Sequence, residues 1–234
     1  MCGRFTQQRP TSELAEIFDA DNLADDPGGH FNIAPTDAAA VIVQREDRRA
    51  VTTYRWGLIP HWAAEARIAG RTFNARSETV AAMPAFRAGF RRRRCLVPVD
   101  SFYEWRRENG IRQPYRILSA GGLPLVLAGL WAGWRDPETG GVRRTFTIVT
   151  TSANEQIAAL HDRMPVILPR TAWATWLDPR PADLGKLHAL LVPSDEEPLE
   201  IYPVVGLVNN VRNDGPALVE PLVTGPTEAV TPLA

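Results

Sequence analysis

Residues Cys95–Val99 (CLVPV) and Asp100–Arg106 (DSFYEWR) lie near the middle of this 234-residue chain. The first segment is almost wholly apolar, which predicts a buried strand, and the second is an aromatic run that predicts another. Glu104 lies inside the aromatic run. Partial burial would disfavour its ionised form and raise its pKa, as a proton-transfer carboxylate requires. Alternation along the strand favours an outward-facing, solvated Glu104 instead.

The run Arg91-Arg92-Arg93-Arg94 directly precedes this pair of segments. It follows Pro84–Phe90, whose aromatic and small residues have helical spacing. Four consecutive arginines are typical of a solvated face. A basic cluster fixed to the start of a strand could equally contact phosphates.

Short strand patterns alternate with short helical patterns along the rest of the chain. Strands are predicted at Ala39–Val43, Val51–Trp56, Pro114–Leu118, Leu123–Trp134, Arg143–Thr151, Val166–Leu168 and Ile201–Val208, and helices after Thr11 and Ser152 and over Thr171–Leu177 and Ala182–Leu191. No internal repeat or linker is visible. We therefore expect one mixed α+β domain with mostly antiparallel strands, followed by a disordered Pro/Thr-rich tail over 224–234.

Composition narrows the class of protein. The net charge of −1 excludes a uniformly basic nucleic-acid coat but allows a local basic surface. No segment reaches the ~20 apolar residues of a membrane span, and the N-terminus is too polar for a signal peptide, so we expect a cytoplasmic protein. Two cysteines form neither a disulfide framework nor a CxxC pair, and the four histidines lack metal-ligand spacing, so we expect no metal and no cofactor.

Cys2 follows the initiator methionine. Removal of Met1 would leave a free α-amine and a thiol on adjacent carbons, a 1,2-aminothiol. Both groups titrate near neutral pH, at about 7.7–8.0 and 8.5. An aldehyde condenses with the amine to an imine, and the thiol then closes a five-membered thiazolidine. Taken alone, a cysteine at this position is more often an ordinary residue behind an uncleaved methionine.

Further polar and aromatic residues are candidates for a site. The stretch Thr72–Thr79 is too polar for a core strand, so it is either a solvated turn or a segment that presents Asn74 and Arg76. His161 falls just past a predicted helix, where a helix C-terminus favours a protonated imidazole. Trp62 follows a proline and could form a stacking surface.

The chain resembles the SOS response-associated peptidase (SRAP) family in six motifs that occur in the family's order. The resemblance runs from Cys2 to about Val223, so it implies an SRAP domain over 1–223, with a curved, mostly antiparallel, barrel-like core and short peripheral helices. The motifs are Cys2-Gly3-Arg4-Phe5, Phe31-Asn32-Ile33-Ala34-Pro35, Trp56-Gly57-Leu58-Ile59-Pro60, Phe73–Thr79 (FNARSET), Phe102-Tyr103-Glu104-Trp105 and His161-Asp162-Arg163-Met164-Pro165.

The resemblance implies a nucleoid-associated, monomeric protein that binds abasic sites in single-stranded DNA and shields them through a thiazolidine crosslink. By motif, Cys2 is the nucleophile, Asn74 positions the reacting groups, Glu104 moves protons, and His161 assists ring opening or imine formation. Phosphate contacts are implied for Arg4, Arg76 and Arg163, and base stacking for Trp62. His61 stands where family members often have a second aromatic residue, which bears on the strength of that stacking.

Two other functions fit the same residues. One is an N-terminal cysteine peptidase or autopeptidase, in which the α-amine or His161 activates the thiol. The other is a noncovalent reader of single-stranded or modified DNA, which would need the arginines and Trp62 but not Cys2. The sequence leaves open the preferred DNA structure, the fate of a crosslink and the role of Cys95.

Overall fold

The computed structural model describes residues 2–24, 28–108, 110–180, 183–194 and 198–222. The predicted tail over 224–234 and the end of the predicted domain at 223 lie outside these residues. The strands are β1 (Phe5–Gln7), β2 (Ala20–Asn22), β3 (His30–Ile33), β4 (Ala38–Arg45), β5 (Arg48–Trp56), β6 (Asn74–Arg76), β7 (Arg94–Val99), β8 (Ser101–Glu108), β9 (Ile111–Ser119), β10 (Leu125–Arg135), β11 (Val142–Ser152), β12 (Arg163–Pro165) and β13 (Leu199–Pro203). The α-helices are α1 (Thr11–Phe18), α2 (Arg87–Arg92), α3 (Glu155–Ala158), α4 (Trp173–Leu177) and α5 (Leu184–Ala189).

Five strands close into a small barrel. They pair in the order β11, β10, β7, β4 and β5, and a parallel pairing of β5 with β11 completes the ring. Alternate residues of each strand enter different apolar clusters. On β4, Val41 packs with Trp56 and Phe146, whereas Ile42 packs in the cluster that contains the helices. The predicted α+β class with mostly antiparallel strands and a barrel-like core is confirmed.

A second, five-stranded antiparallel sheet lies against the barrel, in the order β13, β9, β8, β1 and β3. β7 belongs to the barrel and β8 to this sheet, so the stretch Cys95–Arg106 joins the two layers. Asp100 marks the crossing, and its backbone N–H donates to Thr6 O at 2.9 Å. Phe5 and Phe102 pair across β1 and β8 and pack into the same cluster as the barrel residues, which fixes one sheet on the other.

The helices cover the outer face of the barrel. Phe18 of α1 stacks on Trp173 of α4 with ring centroids 4.6 Å apart, and both rings are buried. Trp176 is fully buried, and its indole N–H donates to Cys95 O at 2.9 Å. These helices are short and depend on packing for their stability, since isolated helices of this length do not persist in water.

Several predicted boundaries are wrong. The strand predicted at Val166–Leu168 is observed at Arg163–Pro165, and the last strand ends at Pro203, with a 3₁₀ turn at Gly206–Asn209 in place of its predicted second half. Ser152 does not cap a helix because it ends β11. Asn154 is the cap, and its side-chain oxygen accepts from the Ile157 N–H at 3.1 Å.

Candidate functional site

The N-terminal segment runs antiparallel to β8. Tyr103 N donates to Arg4 O at 3.0 Å, and continuing the Phe5-to-Phe102 register places Gly3 opposite Glu104. Cys2 is fully buried next to this point, within the apolar cluster that includes Phe5 and Trp56. Residues 2–5 are therefore held against β8 and the core.

The Cys2 thiol is shielded from solvent and lies near the Glu104 carboxyl group. Burial raises its pKa far above the ordinary range, and the nearby Glu104 carboxylate raises the pKa further. Since a thiolate is the reactive form, this raised pKa disfavours reaction of the buried thiol. Any reaction must therefore supply an acceptor for its proton.

Asn74 holds the Cys2 backbone. It begins β6, which runs parallel to β11 with Asn74 level with Ile148. Its side-chain Nδ2 donates to Cys2 O at 2.7 Å. Its Oδ1 is buried and has no hydrogen-bond partner among the described residues. A buried unpaired acceptor costs about 1–3 kcal/mol, so this oxygen is a position for an incoming donor.

Glu104 is buried, with 2% of its surface exposed. Burial raises its pKa above the ordinary range, while the electrostatic influence of His161 acts in the opposite direction. The solvent-facing orientation that alternation favours is wrong here. Ser101–Glu104 are all buried because both faces of β8 are covered at this end of the strand, so alternation alone cannot assign a solvent side.

His161 follows α3, and its backbone N–H donates to Ile157 O at 3.1 Å. Its Nδ1 accepts from the Arg163 N–H at 3.0 Å and also lies 2.7 Å from Asp162 Oδ1. One nitrogen cannot accept from Arg163 and donate to Asp162 at once. The backbone hydrogen bond is fixed by the turn, whereas Asp162 is largely exposed, so we assign Nδ1 as the acceptor. Nε2 then carries the proton of the neutral ring.

A cleft of about 990 Å³ brings Glu104 and His161 together. Gly3 contributes to its wall, and Cys2 lies directly behind Gly3. Its rim is basic, and sequence reasoning missed most of it. The lining residues are Gly3, Arg4, Glu104, Trp105, Arg106, Arg107, Arg112, Ala159, Leu160, His161, Asp162 and Asn209.

Trp105 organises the basic wall. The guanidinium carbons of Arg4 and Arg112 lie 5.8 and 5.6 Å from its ring centroid, and its indole N–H donates to Asn209 Oδ1 at 2.6 Å. The signal for this wall was present in the sequence. Basic residues flank the aromatic run on β8 and recur at Arg112 on β9, and a hairpin places them side by side.

Arg4 serves first as an anchor. Its Nη1 donates to Asn32 Oδ1 at 2.8 Å and to Val208 O at 2.6 Å. Asn32 in turn donates to Asn213 O at 2.8 Å. Arg4 and Asn32 thus connect two sequence motifs to the loop at 206–213, and burial lowers the pKa of Arg4.

The remaining predicted residues lie outside the lining of the cleft. Arg163 pairs with Glu78 through both guanidinium nitrogens and donates to Thr150 O at 2.7 Å. This pairing lowers the pKa of Glu78 to about 2. Arg76 is exposed on β6. Trp62 is 53% exposed and lines a separate depression with Arg67 and Arg71.

Two other kinds of feature, a cluster of metal ligands and a membrane-spanning helix, are absent from the part of the chain that the structure describes. No three His, Cys, Asp or Glu side chains there are grouped as metal ligands, and no helix among those residues is long and apolar enough to cross a membrane.

Fold and site define a barrel-and-sheet protein that buries an N-terminal cysteine behind a basic cleft. The family model described as SOS response associated peptidase (SRAP) matches residues 1–211, and the chain belongs to this family. It is 38% identical over 223 residues to the abasic site processing protein YoqW of Bacillus subtilis, covering 94% of this chain and 99% of YoqW. It is 30% identical over 230 residues to the abasic site processing protein YedK of Escherichia coli, covering 95% of this chain and 100% of YedK.

Two solved structures share the fold. A protein from Bacteroides thetaiotaomicron matches with a TM-score of 0.86 and 25% identity, covering 95% of this chain and 100% of that one. A protein from Bordetella bronchiseptica matches with a TM-score of 0.75 and 28% identity, covering 87% of this chain and 100% of that one.

Proposed function

We propose that this protein binds abasic sites in single-stranded DNA and captures them covalently as a thiazolidine on Cys2, after removal of Met1. The observation that carries the proposal is the placement of Cys2, which Asn74 holds by its carbonyl beside buried Glu104 and behind the wall of a basic cleft. The names of the relatives, abasic site processing proteins, agree with this assignment.

The reaction balances with the loss of one water. The ring-opened abasic sugar presents an aldehyde at C1′. The α-amine of Cys2 adds to this carbon to give a carbinolamine, which expels water to leave an imine. The thiol sulfur then bonds to the same carbon, and its proton passes to the imine nitrogen. No oxidant or reductant is needed, and the imine nitrogen is the proton acceptor that the high-pKa thiol requires.

Glu104 supplies acid–base catalysis, and His161 assists by hydrogen bonding. A closed hemiacetal must lose a proton from its hydroxyl and gain one on its ring oxygen, and the carbinolamine must gain a proton to expel water. Burial raises the pKa of Glu104, which favours its protonated form, and Glu104 lies beside Cys2. The Nε2–H of the neutral His161 ring is a hydrogen-bond donor in the same cleft.

Asn74 orients the nucleophile. With its Nδ2 on Cys2 O, its unpartnered Oδ1 is the natural acceptor for a proton of the α-amine that Met1 removal creates. That contact would direct the nitrogen lone pair towards the cleft, which is where the aldehyde arrives.

DNA would be held by phosphate contacts and stacking, with little base readout. Arg107 and Arg112 are exposed on the rim of the cleft. Arg76 is also exposed and lies two residues after Asn74 on β6. Arg163 would contact a phosphate only by exchanging its partner Glu78. Trp62 is exposed enough to stack on a base beside the lesion.

The test is the intact mass of untagged protein after mixing with single-stranded DNA that carries one abasic site. We expect an adduct at the mass of protein without Met1 plus DNA minus one water. Cys2→Ala should bind the same DNA but give no adduct, and Cys95→Ala should give the full adduct.

Three outcomes would contradict the proposal. Normal adduct yield from a protein with a blocked N-terminus would remove the aminothiol mechanism. Binding without any adduct, although Met1 is gone, would leave a noncovalent reader of DNA. Cleavage of a peptide substrate that depends on Cys2, without an adduct, would favour the cysteine peptidase.

A further inference from the structure

Arginine and aromatic side chains converge at one mouth of the barrel. Four of the barrel strands contribute one each, and the fifth side chain lies immediately before β7. We call this cluster the arginine mouth. Trp131 N donates to Arg93 O at 2.8 Å, and the register of β4 with β7 places Arg45 opposite Arg93. The parallel register of β5 with β11 places Tyr54 beside Arg144. The members are Arg45 (β4), Tyr54 (β5), Arg93 (immediately before β7), Trp131 (β10) and Arg144 (β11).

The two aromatic rings form the floor of the mouth. Tyr54 and Trp131 lie on strands that are not neighbours in the ring, yet their centroids are 5.7 Å apart, so they meet across the barrel interior. Tyr54 is 4% exposed. The Arg93 guanidinium lies over Trp131, 5.8 Å from the ring centroid, and is half-buried. The arginines therefore stand on a fixed apolar base.

The charge of this cluster is uncompensated within the part of the chain that the structure describes. There, none of Arg45, Arg93 and Arg144 forms an ion pair with a carboxylate. The adjacent Arg143, on the other face of β11, pairs with Asp136. Gathering three like charges costs energy that an anion would recover. Arginine forks on a rigid base suit phosphate oxygens.

The arginine mouth is connected to the candidate site through β11. Asn74 is level with Ile148, and Arg144 lies four residues away on that strand, about 13 Å at ~3.3 Å per residue. The exposed Trp62 is anchored at the same end of the barrel as Arg144. The next residue, Ala63, accepts a 2.7 Å hydrogen bond from the indole of Trp134, which pairs with Arg143 across β10 and β11.

We propose that the arginine mouth is a second phosphate-binding surface, which holds the single-stranded DNA backbone several nucleotides away from the lesion. The proposal rests on the proposed function, since the cleft must first take that strand. At ~3.4 Å per nucleotide of stacked strand, a distance of about 13 Å corresponds to about four nucleotides. A strand that passes Trp62 would thus reach Arg144 and Arg93 with phosphates outside the cleft.

The experiment compares undamaged single-stranded oligonucleotides of about 20 and about 5 nucleotides, with Kd measured over a salt series. The double variant R93Q/R144Q should lower the slope of log Kd against log salt by about 1.4 for the longer strand, at ~0.7 per lost contact. Between 50 and 200 mM salt this is roughly a sevenfold smaller change in Kd. Binding of the shorter strand should be unchanged.

The matched control is R170Q/R180Q, which also removes two charges, one of them stacked over a tryptophan (Trp173, 5.8 Å) and the other exposed. It should behave as wild type. A wild-type slope for R93Q/R144Q on the longer strand would overturn the proposal, and so would an equal loss on both strands. Failure of the proposed function gives a different result. Wild-type protein would then form no abasic-site adduct, while R93Q/R144Q would still lower the salt slope on the longer strand only.

Discussion

Glu104 couples the proposed chemistry to the stability of the fold. Its ordinary pKa is 4.5, and burial raises the folded-state value. Between these two values the folded protein keeps a proton that the unfolded chain releases. This contribution to stability is therefore fully present below about 4.5 and is lost as the pH rises through the folded pKa. Glu104→Gln removes the titration, so we expect its unfolding free energy to decline less between pH 4 and 8 than that of wild type.

Urea unfolding at several pH values measures this difference, and single-turnover mass spectrometry measures the chemistry. Loss of the acid–base group should slow adduct formation about 10²–10⁴-fold. Parallel pH profiles together with an unchanged rate would mean that Glu104 neither titrates in this range nor transfers protons.

Asn74 is expected to affect rate more than affinity. Asn74→Ala removes the hydrogen bond to Cys2 O and the free acceptor beside it, so the nucleophile loses its orientation. We expect adduct formation to slow roughly 100-fold, the order expected for a reacting group displaced by about 1 Å. The Kd for undamaged single-stranded DNA should be the same as that of wild type. Asn74→Asp keeps the shape but loses the donor, and should be slow as well; a wild-type rate in both variants would refute the positioning role.

At the scale of elements, Arg94 joins two helices to the barrel. It is 3% exposed, and it donates to Phe90 O at 2.7 Å, to Trp176 O at 2.6 Å and to Asp178 O. These carbonyls lie at the C-terminal end of α4 and near the middle of α2, where unsatisfied acceptors and the helix dipole favour a cation. The solvated-face interpretation of the four-arginine run is therefore wrong for this member.

Arg94→Ala should lower the free energy of unfolding by about 3 kcal/mol, because two buried carbonyls and one partly buried carbonyl lose a charged donor. Arg91→Ala, one turn away and exposed, is the matched control and should change stability by less than about 0.5 kcal/mol. Urea denaturation of both variants checks the difference. Equal midpoints for the two variants would contradict the bridging role of Arg94.

The elements that sequence patterns predicted well are those with strong local signals. The β4–β5 pair and the apolar β7 were predicted because their apolar runs end at charged turns. Asn74 and Cys2 meet although they are 72 residues apart, and only the motif resemblance placed both in one site. The arginine mouth was missed because cross-strand register decides which arginines share a face, and the sequence pattern did not give the register of the barrel strands. The basic wall on Trp105 was missed although the hairpin that forms it was visible in the sequence.

At the scale of the whole molecule, ring closure leaves almost no spare volume inside the barrel. A Cβ added at Gly129 would lie 2.7 Å from Cys95 Sγ and 2.8 Å from Val97 Cγ2. Gly129→Ala should therefore destabilise the fold by about 1–3 kcal/mol through overpacking. Cys95→Ala removes one of the two clashing atoms, so the double variant should be more stable than the sum of the single effects, by at least about 0.5 kcal/mol.

A double-mutant cycle by urea denaturation measures that coupling. The same variants separate the barrel core from the proposed chemistry, because Cys95 lies in the interior and has no amine beside its thiol. Cys95→Ala and the double variant should give full adduct yield per folded molecule. If the two single effects on the free energy of unfolding simply add, the barrel relaxes around the new methyl group. The interior would then be less tightly packed than the short distances at Gly129 indicate.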